Sequence, residues 1–135
     1  MKMYSALVAV AALVGSARLV HAGQTIVSGA LPTSTGTAGA CYIRNAGPSP
    51  VSLQVTVLEN FSPGFIAPDF DSCNSESPLA AGRTCVVLIN DLPDDVTFQC
   101  AATVSGSAKN LRGAAELRFI GRDGALTVLG AEDMR

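Results

Sequence analysis

Histidine, tryptophan and an excess of basic residues are what this sequence most clearly lacks. Its one histidine is His21, it has no tryptophan, and 9 Lys and Arg stand against 11 Asp and Glu. The net charge of −2 disfavours a nucleic-acid ligand, because neutralising phosphates requires a basic surface. What is present is a hydrophobic fraction of 48%, with 13 Gly and 7 Pro, which indicates one folded domain with many turns.

The start of the sequence has the three-part pattern of a secretory signal peptide. Lys2 provides a positive charge, residues 6–15 form an apolar run, and Val20-His21-Ala22 puts small residues at the two positions that a signal peptidase reads. A membrane-spanning helix needs roughly 20 apolar residues, about twice the length of this run. We therefore predict a signal peptide over 1–22, no membrane anchor after its cleavage, and a secreted or periplasmic protein.

Cleavage there removes the histidine from the mature protein. Taking 22 residues from 135 leaves 113, the domain expected over 23–135. Lys2 and Arg18 are lost but no acid, so 7 basic residues face 11 acidic ones and the formal charge becomes −4. Without histidine the mature chain has no Ser-His-Asp or Cys-His mechanism and no His-containing zinc site. We expect no enzyme activity, no metal and no cofactor.

Four cysteines, Cys41, Cys73, Cys85 and Cys100, lie in the exported part. Their even number predicts two disulfides in an oxidising compartment, and the absence of any C-x-x-C spacing disfavours zinc and redox sites. Three pairings are formally open, and strand phase favours Cys41–Cys100 with Cys73–Cys85. Side chains alternate along a strand, so Cys100 points to the same side as Phe98, which is the core side. Cys41 points to the same side as Ile43 for the same reason. The Cys73–Cys85 bond would then close a shorter loop on the outside, stabilising by roughly 3 kcal/mol.

Short strand-like runs between turn signals predict an all-β fold: a single β-sandwich of seven or eight short antiparallel strands. Val51–Leu58 is the clearest strand, because apolar and polar residues alternate along it. Residues 33–39 and 105–113 are expected to be loops, and 121–124 a tight hairpin turn. The other expected strands cover 25–31, 40–45, an edge strand near Phe65, 84–89, 96–104, 114–120 and 125–129.

Two motifs resemble immunoglobulin-like domains. Asp94-x-Val96-x-Phe98-x-Cys100 resembles the D-x-A-x-Y-x-C signature that leads into strand F of immunoglobulin domains, with Phe98 in place of the tyrosine and no core tryptophan. Leu79–Val87 resembles the L-x-P-G-x-x-C-x-V stretch of abnormal-spindle and hydin-type immunoglobulin-like modules, where a preceding cysteine often pairs with the motif cysteine. Ala81 stands where that motif prefers proline. The chain is also similar in style to small secreted bacterial proteins of unknown function. The resemblance, over 40–119, implies an immunoglobulin-like sandwich and no particular activity.

Three segments carry candidate chemistry. The acidic loop Asp69–Glu76 gathers oxygen atoms, so a calcium site is one interpretation and a solvated loop the other. The polar loop Ser105–Gly113 has residues suited to binding anions, but it lacks the G-K-[ST] order of a phosphate-binding loop. Asn60-Phe61-Ser62 is an N-glycosylation sequon whose use depends on the source. The carboxylates open to acid–base hydrolysis are Asp69, Asp71, Asp94, Asp95 and Glu116, although Asp94 and Asp95 fit a turn better.

A contact surface is the remaining candidate site. Phe61, Phe65, Ile66 and Phe70 cluster in a proline-rich segment, where they either form a contact patch or cover the open end of the core. We predict an exported, non-catalytic binding or structural module whose partner is a protein or a surface. The alternatives are a small secreted carboxylate-dependent hydrolase, and a surface-fibre or inhibitor subunit that uses edge-strand addition. The oligomeric state stays open.

Overall fold

Antiparallel strands make up most of the chain in the computed structural model, which describes residues 23–63, 66–123 and 125–135. The predicted all-β class is confirmed, whereas the predicted signal peptide over 1–22 lies outside the described residues. The strands are β1 Gln24–Val27, β2 Leu31–Pro32, β3 Thr37–Asn45, β4 Leu53–Glu59, β5 Ser62–Pro63, β6 Phe70–Asp71, β7 Thr84–Ile89, β8 Thr97–Val104, β9 Leu111–Ile120 and β10 Leu126–Asp133, with a four-residue helix α1, Ser72–Ser75.

The strands form two antiparallel sheets. The first sheet has the order β1-β8-β4-β5, and the second has the order β10-β9-β3-β7-β6. β1 and β2 both pair with one edge of β8, and β4 pairs with its other edge. Val104 of β8, for example, pairs with Gln24 of β1 on one side and with Leu53 of β4 on the other. The connection between β1 and β2 interrupts the single strand predicted over 25–31.

The core lies between the inward faces of the two sheets. Period-two alternation decides which residues enter it: in β4, Leu53 and Val55 are buried while Gln54 is exposed. Phe98 of β8 is 1% exposed and packs on Gly39 of β3, where an added Cβ would come within 2.8 Å of the ring. The other large core side chains are Leu31, Ile43, Leu79, Val87, Ile89, Leu92, Val104, Leu111, Leu117 and Met134.

Several strand limits differ from those predicted. β3 includes Thr37–Gly39, which the glycine content had indicated as loop, because Gly39 makes room there for the Phe98 ring. β9 begins at Leu111 rather than residue 114, since it pairs with the whole of β3 down to Asn45. β10 continues to Asp133 because its second half pairs with Glu116 and the residues before it in β9. The limits of β7 match the predicted strand over 84–89.

β9 lies between β3 and β10 in the second sheet, so β10 is an edge strand of that sheet.

Candidate functional site

Two disulfides join the predicted cysteines. Cys41 of β3 is bonded to Cys100 of β8, which links the two sheets through two residues that are 0% exposed, with their Cα atoms 5.8 Å apart. Cys73 of α1 is bonded to Cys85 of β7, with a Cα separation of 4.8 Å. The expectation that this second bond lies on the outside is wrong: both cysteines are buried, because α1 packs against β4 and β7.

The acidic loop Asp69–Glu76 closes the edge of β4. The Oδ1 atom of Asn74 accepts a hydrogen bond from the backbone N–H of Val55 at 2.8 Å, and its Nδ2 atom donates to the Val55 carbonyl at 3.0 Å. This pair of bonds is the one that a residue of a neighbouring strand would make. Farther along the edge, the Ser77 hydroxyl accepts from the backbone N–H of Leu53 at 3.2 Å.

Several other oxygens of this loop also accept hydrogen bonds from protein groups. The Asp71 carboxylate accepts from the Asn74 backbone N–H at 2.9 Å and from Asn74 Nδ2 at 2.6 Å. Ser72 Oγ accepts from the Val86 N–H at 2.9 Å, and Asp69 Oδ2 accepts from the Asn90 N–H at 2.7 Å. In the part of the chain that the structure describes, no three His, Cys, Asp or Glu residues are grouped to hold a metal ion. The loop oxygens considered for calcium thus connect the two sheets.

We predict that Asn74→Ala lowers the free energy of unfolding by about 1–2 kcal/mol, because the partly buried edge of β4 loses two hydrogen bonds. Urea unfolding with intact disulfides measures the loss. Asn90→Ala is the matched control, since the Asn90 side chain is exposed at the end of β7 and should change stability little. Equal losses in the two variants would contradict the structural role of Asn74.

The candidate carboxylates are dispersed over the fold. Asp69 and Asp71 lie at β6, whereas Asp94 and Asp95 form the turn before β8. The Asp94 carboxylate accepts from the Thr35 hydroxyl at 2.9 Å, and Asp95 has a φ of 57°. These observations support the predicted turn.

Glu116, the fifth candidate carboxylate, belongs to a polar cluster on the outer face of the second sheet. Its Oε2 atom lies 2.7 Å from Nη2 of Arg118, and Arg118 also donates to the hydroxyl of Tyr42. The hydrogen bond to Glu116 is the main cause that raises the pKa of the Arg118 guanidinium above its ordinary value. The guanidinium carbon lies 5.4 Å from the centre of the Tyr42 ring, within cation–π range.

Apolar side chains are exposed on the hairpin that β9 and β10 form. Five of them, which we call the hairpin patch, are 40% to 58% exposed: Phe119, Ile120, Leu126, Val128 and Leu129. Ile120 and Leu126 are cross-strand partners and share the outer face, while the Phe119 side chain points to the opposite face. The hairpin therefore exposes apolar groups on both faces.

Sequence reasoning did not identify the hairpin patch, although a signal was present. Residues 117–120 and 125–129 contain large apolar residues at both parities on either side of the predicted turn. A strand with large apolar side chains on both of its faces needs other elements packed against both faces to bury them. A domain with only two layers covers one face, so the other face of such a hairpin is left exposed.

The residues of the predicted contact patch differ in their exposure. Phe61 and Phe70 are exposed, at 68% and 52%, whereas Ile66 packs against the core and Phe65 lies outside the described residues. Phe70 is on β6, and β9, β3 and β7 separate that strand from β10. The Phe70 side chain and the hairpin patch therefore belong to opposite edges of the second sheet.

Two other predicted segments have structural contacts. In the polar loop, the backbone N–H of Ala108 donates to Oε1 of Gln24 at 2.7 Å, and Arg112 Nη1 donates to the Lys109 carbonyl at 2.8 Å. Asn60, in the sequon, accepts a hydrogen bond from the Thr97 N–H at 3.0 Å through its Oδ1 atom. The contact of the polar loop with Gln24 fixes that loop to the start of β1.

A cleft of about 440 Å³ lies between the β1–β2 connection and the end of β10, and its lining includes Glu132 and Asp133. These carboxylates are consecutive in β10, and they pair with Ala115 and Ala114 respectively. Because consecutive strand residues point to opposite faces, the two side chains do not converge on one point.

The chain matches no protein-family model, no curated protein and no solved structure. No helix in the described ranges is both long and apolar enough to span a membrane.

Proposed function

We propose that this protein is an exported, non-catalytic binding module that contacts a protein partner through the hairpin patch. The observation that carries the proposal is the exposure of five large apolar side chains on one hairpin. Three of them, Ile120, Leu126 and Val128, share the outer face, where exposed apolar surface costs free energy in water and contiguous patches mark interaction sites. A partner that covers the hairpin would remove that cost.

Export is supported by the disulfides and by the leader pattern. Two disulfides are characteristic of proteins of oxidising compartments. Residues 1–22 have the charge, the apolar run and the small residues of a secretory signal. The two observations together support a secreted or periplasmic location.

The lack of catalytic activity is part of the proposal and has its own support. The only histidine, His21, would be removed with the signal peptide. A carboxylate-dependent hydrolase needs two carboxylates on either side of the scissile bond. Glu132 and Asp133 point to opposite faces of β10, and Glu116 is engaged by Arg118.

The groups beside the hairpin patch favour a protein as partner. Arg118 and Tyr42 are on the outer face of the second sheet, and Arg118 is the cross-strand partner of Val128. Interfaces between proteins are enriched in Tyr and Arg around apolar anchors. The ion pair with Glu116 restrains the Arg118 side chain, so less side-chain entropy is lost when a partner packs on it.

Site-specific photocrosslinking tests the proposal. We expect a photoreactive amino acid at Leu126 to give adducts in the secreted and envelope fractions of the source, because Leu126 is 58% exposed, the largest exposed fraction in the hairpin patch. Gln54, which is exposed on β4 of the first sheet, is the control position. Adducts in equal yield at both positions, or adducts at Gln54 alone, would contradict the assignment of the hairpin patch.

A further inference from the structure

We propose that one end of the sandwich binds the anionic headgroups of a lipid membrane through four basic residues, which we call the basic end: Arg44, Arg83, Lys109 and Arg112. The strands of the second sheet run from this end to the hairpin patch, so the two surfaces are separate. Four of the 7 basic residues of the predicted mature chain therefore belong to one small region.

Backbone pairing brings the four basic residues together. Arg44 of β3 is the direct cross-strand partner of Arg112 in β9, so their side chains leave the same face of the second sheet. Arg83 precedes β7, and its carbonyl accepts a hydrogen bond from the backbone N–H of Asn45 at 3.0 Å. Lys109 is held beside Arg112, whose Nη1 atom donates to the Lys109 carbonyl at 2.8 Å. All four basic residues are exposed, so their charges face solvent.

The charges of the basic end are not neutralised by ion pairs. Among the described residues, the one ion pair is that of Arg118 with Glu116, nearer the middle of β9. An open groove of about 270 Å³ is lined by Arg44 and Arg112, and its lining also includes Asp133. Like charges directly opposite each other on a sheet are destabilising. An anion bound beside the two arginines would offset their repulsion.

Acidic residues are concentrated at the other end of the strands. Six of the 11 lie in the β7–β8 connection, in the β9–β10 turn or beside them: Glu59, Asp69, Asp91, Asp94, Asp95 and Asp123. The nine residues of β3 separate the two ends by about 25 Å. The Debye length in physiological salt is about 8 Å, so the distant acidic charge is screened from a membrane that touches the basic end. A chain of negative net charge can therefore approach an anionic membrane with this end first.

An extended anionic surface suits the basic end better than a protein partner does. Protein interfaces have a core of apolar or aromatic side chains. The large exposed apolar residues of the described part of the chain lie away from the basic end. Clusters of about four to eight Lys and Arg beside a membrane are typical of binding to acidic lipids, with each residue raising binding about fivefold.

The start of the described chain lies at the same end. Gln24 begins β1, and its Oε1 atom accepts a hydrogen bond at 2.7 Å from the backbone N–H of Ala108, the neighbour of Lys109. The predicted signal peptide over 1–22 comes just before this point in the sequence. A chain whose leader enters the membrane during export would therefore present the basic end to the lipid. Cleavage after Ala22 would add the positive charge of a new α-amino group there.

Vesicle co-sedimentation of the purified exported protein measures the proposed binding. We expect binding to vesicles of equal parts phosphatidylglycerol and phosphatidylcholine, release as salt rises from about 0.05 to 0.5 M, and no binding to pure phosphatidylcholine. Arg44→Gln should weaken binding about fivefold, and its combination with Arg112→Gln about 25-fold. Arg122→Gln is the matched control, since it removes the same charge from the hairpin turn at the other end and should leave binding unchanged.

Two further readouts separate lipid binding from a structural role. Arg44→Gln should not lower the urea midpoint, because it relieves the repulsion between Arg44 and Arg112. Asp133→Asn should strengthen vesicle binding, because it removes a negative charge from the groove beside the two arginines. A gain of this kind cannot come from a variant that fails to fold.

Several results would overturn the proposal. They are equal binding to both kinds of vesicle, no binding at low salt, and an equal loss in Arg44→Gln and Arg122→Gln. Salt-dependent binding to soluble polyglutamate without binding to vesicles would also overturn the lipid surface, and would assign the basic end to an acidic protein.

The basic end and the hairpin patch are tested independently. Arg44→Gln should leave the Leu126 photocrosslinks unchanged, because the two residues are at opposite ends of the second sheet. Vesicle binding without Leu126 adducts supports the basic end and overturns the hairpin patch as the protein-binding surface. Leu126 adducts without vesicle binding have the opposite meaning.

Discussion

Removing the Cys41–Cys100 disulfide by double substitution to alanine should lower the free energy of unfolding by about 4 kcal/mol on the chain-entropy model. The bond closes a segment with a sequence separation of 59 residues, so its loss releases a large part of the unfolded chain. It also links the two sheets at fully buried positions, where the smaller alanines leave unfilled space. Urea unfolding under non-reducing conditions, with the midpoint falling by about 2 M, measures the effect.

The Cys73→Ala, Cys85→Ala double variant is the internal control for that experiment. Its loop has a sequence separation of 12 residues, so the same model gives a loss of about 3 kcal/mol. The decisive comparison is which double variant loses more unfolding free energy, because the chain-entropy model makes the loss depend on loop length. A larger loss from the shorter loop would show that packing of α1 against β4 and β7, rather than unfolded-state entropy, dominates the stabilisation.

The disulfide pairing shows what the sequence alone was able to predict. Inward parity relates Cys100 to Phe98 and Cys41 to Ile43, and this local alternation needs no knowledge of distant contacts. A different local signal, the apolar run that follows Gly82, located β7, whose limits Thr84–Ile89 were predicted correctly. Strand parity can therefore be predicted where apolar and polar residues alternate, and strand position where an apolar run follows a turn residue.

Features that depend on distant partners were not readable. Gly39 was interpreted as part of a loop, since nothing near it in the sequence shows that the Phe98 ring needs the space of its absent side chain. Asn74 and Asp71 were grouped by their oxygen content, and their actual role depends on Val55, 19 residues from Asn74. The exposure of the hairpin patch depends on how many layers cover the second sheet, which the strand pattern alone does not specify.

Phe98 is the position where a single substitution should have the largest effect on stability. Its side chain is 1% exposed, and its ring packs on Gly39 and beside Leu92. We expect Phe98→Ala to lower the free energy of unfolding by about 3–5 kcal/mol, because the lost apolar burial is compounded by a cavity that the neighbouring strands fill only in part. Phe61→Ala is the matched control: its ring is 68% exposed, so its removal should change stability little.

Phe98→Tyr separates the size of the ring from its polarity. The end of the ring faces Gly39 in the interior, since a Cβ built on Gly39 would lie 2.8 Å from the ring carbon Cζ. A tyrosine hydroxyl would therefore enter a closed apolar space, where an unpaired hydroxyl costs about 1–3 kcal/mol. The packing of the ring on Gly39 therefore favours phenylalanine over tyrosine at this position. Urea midpoints that do not differ between Phe98→Tyr and the unsubstituted protein would show that the hydroxyl has found a hydrogen-bond partner.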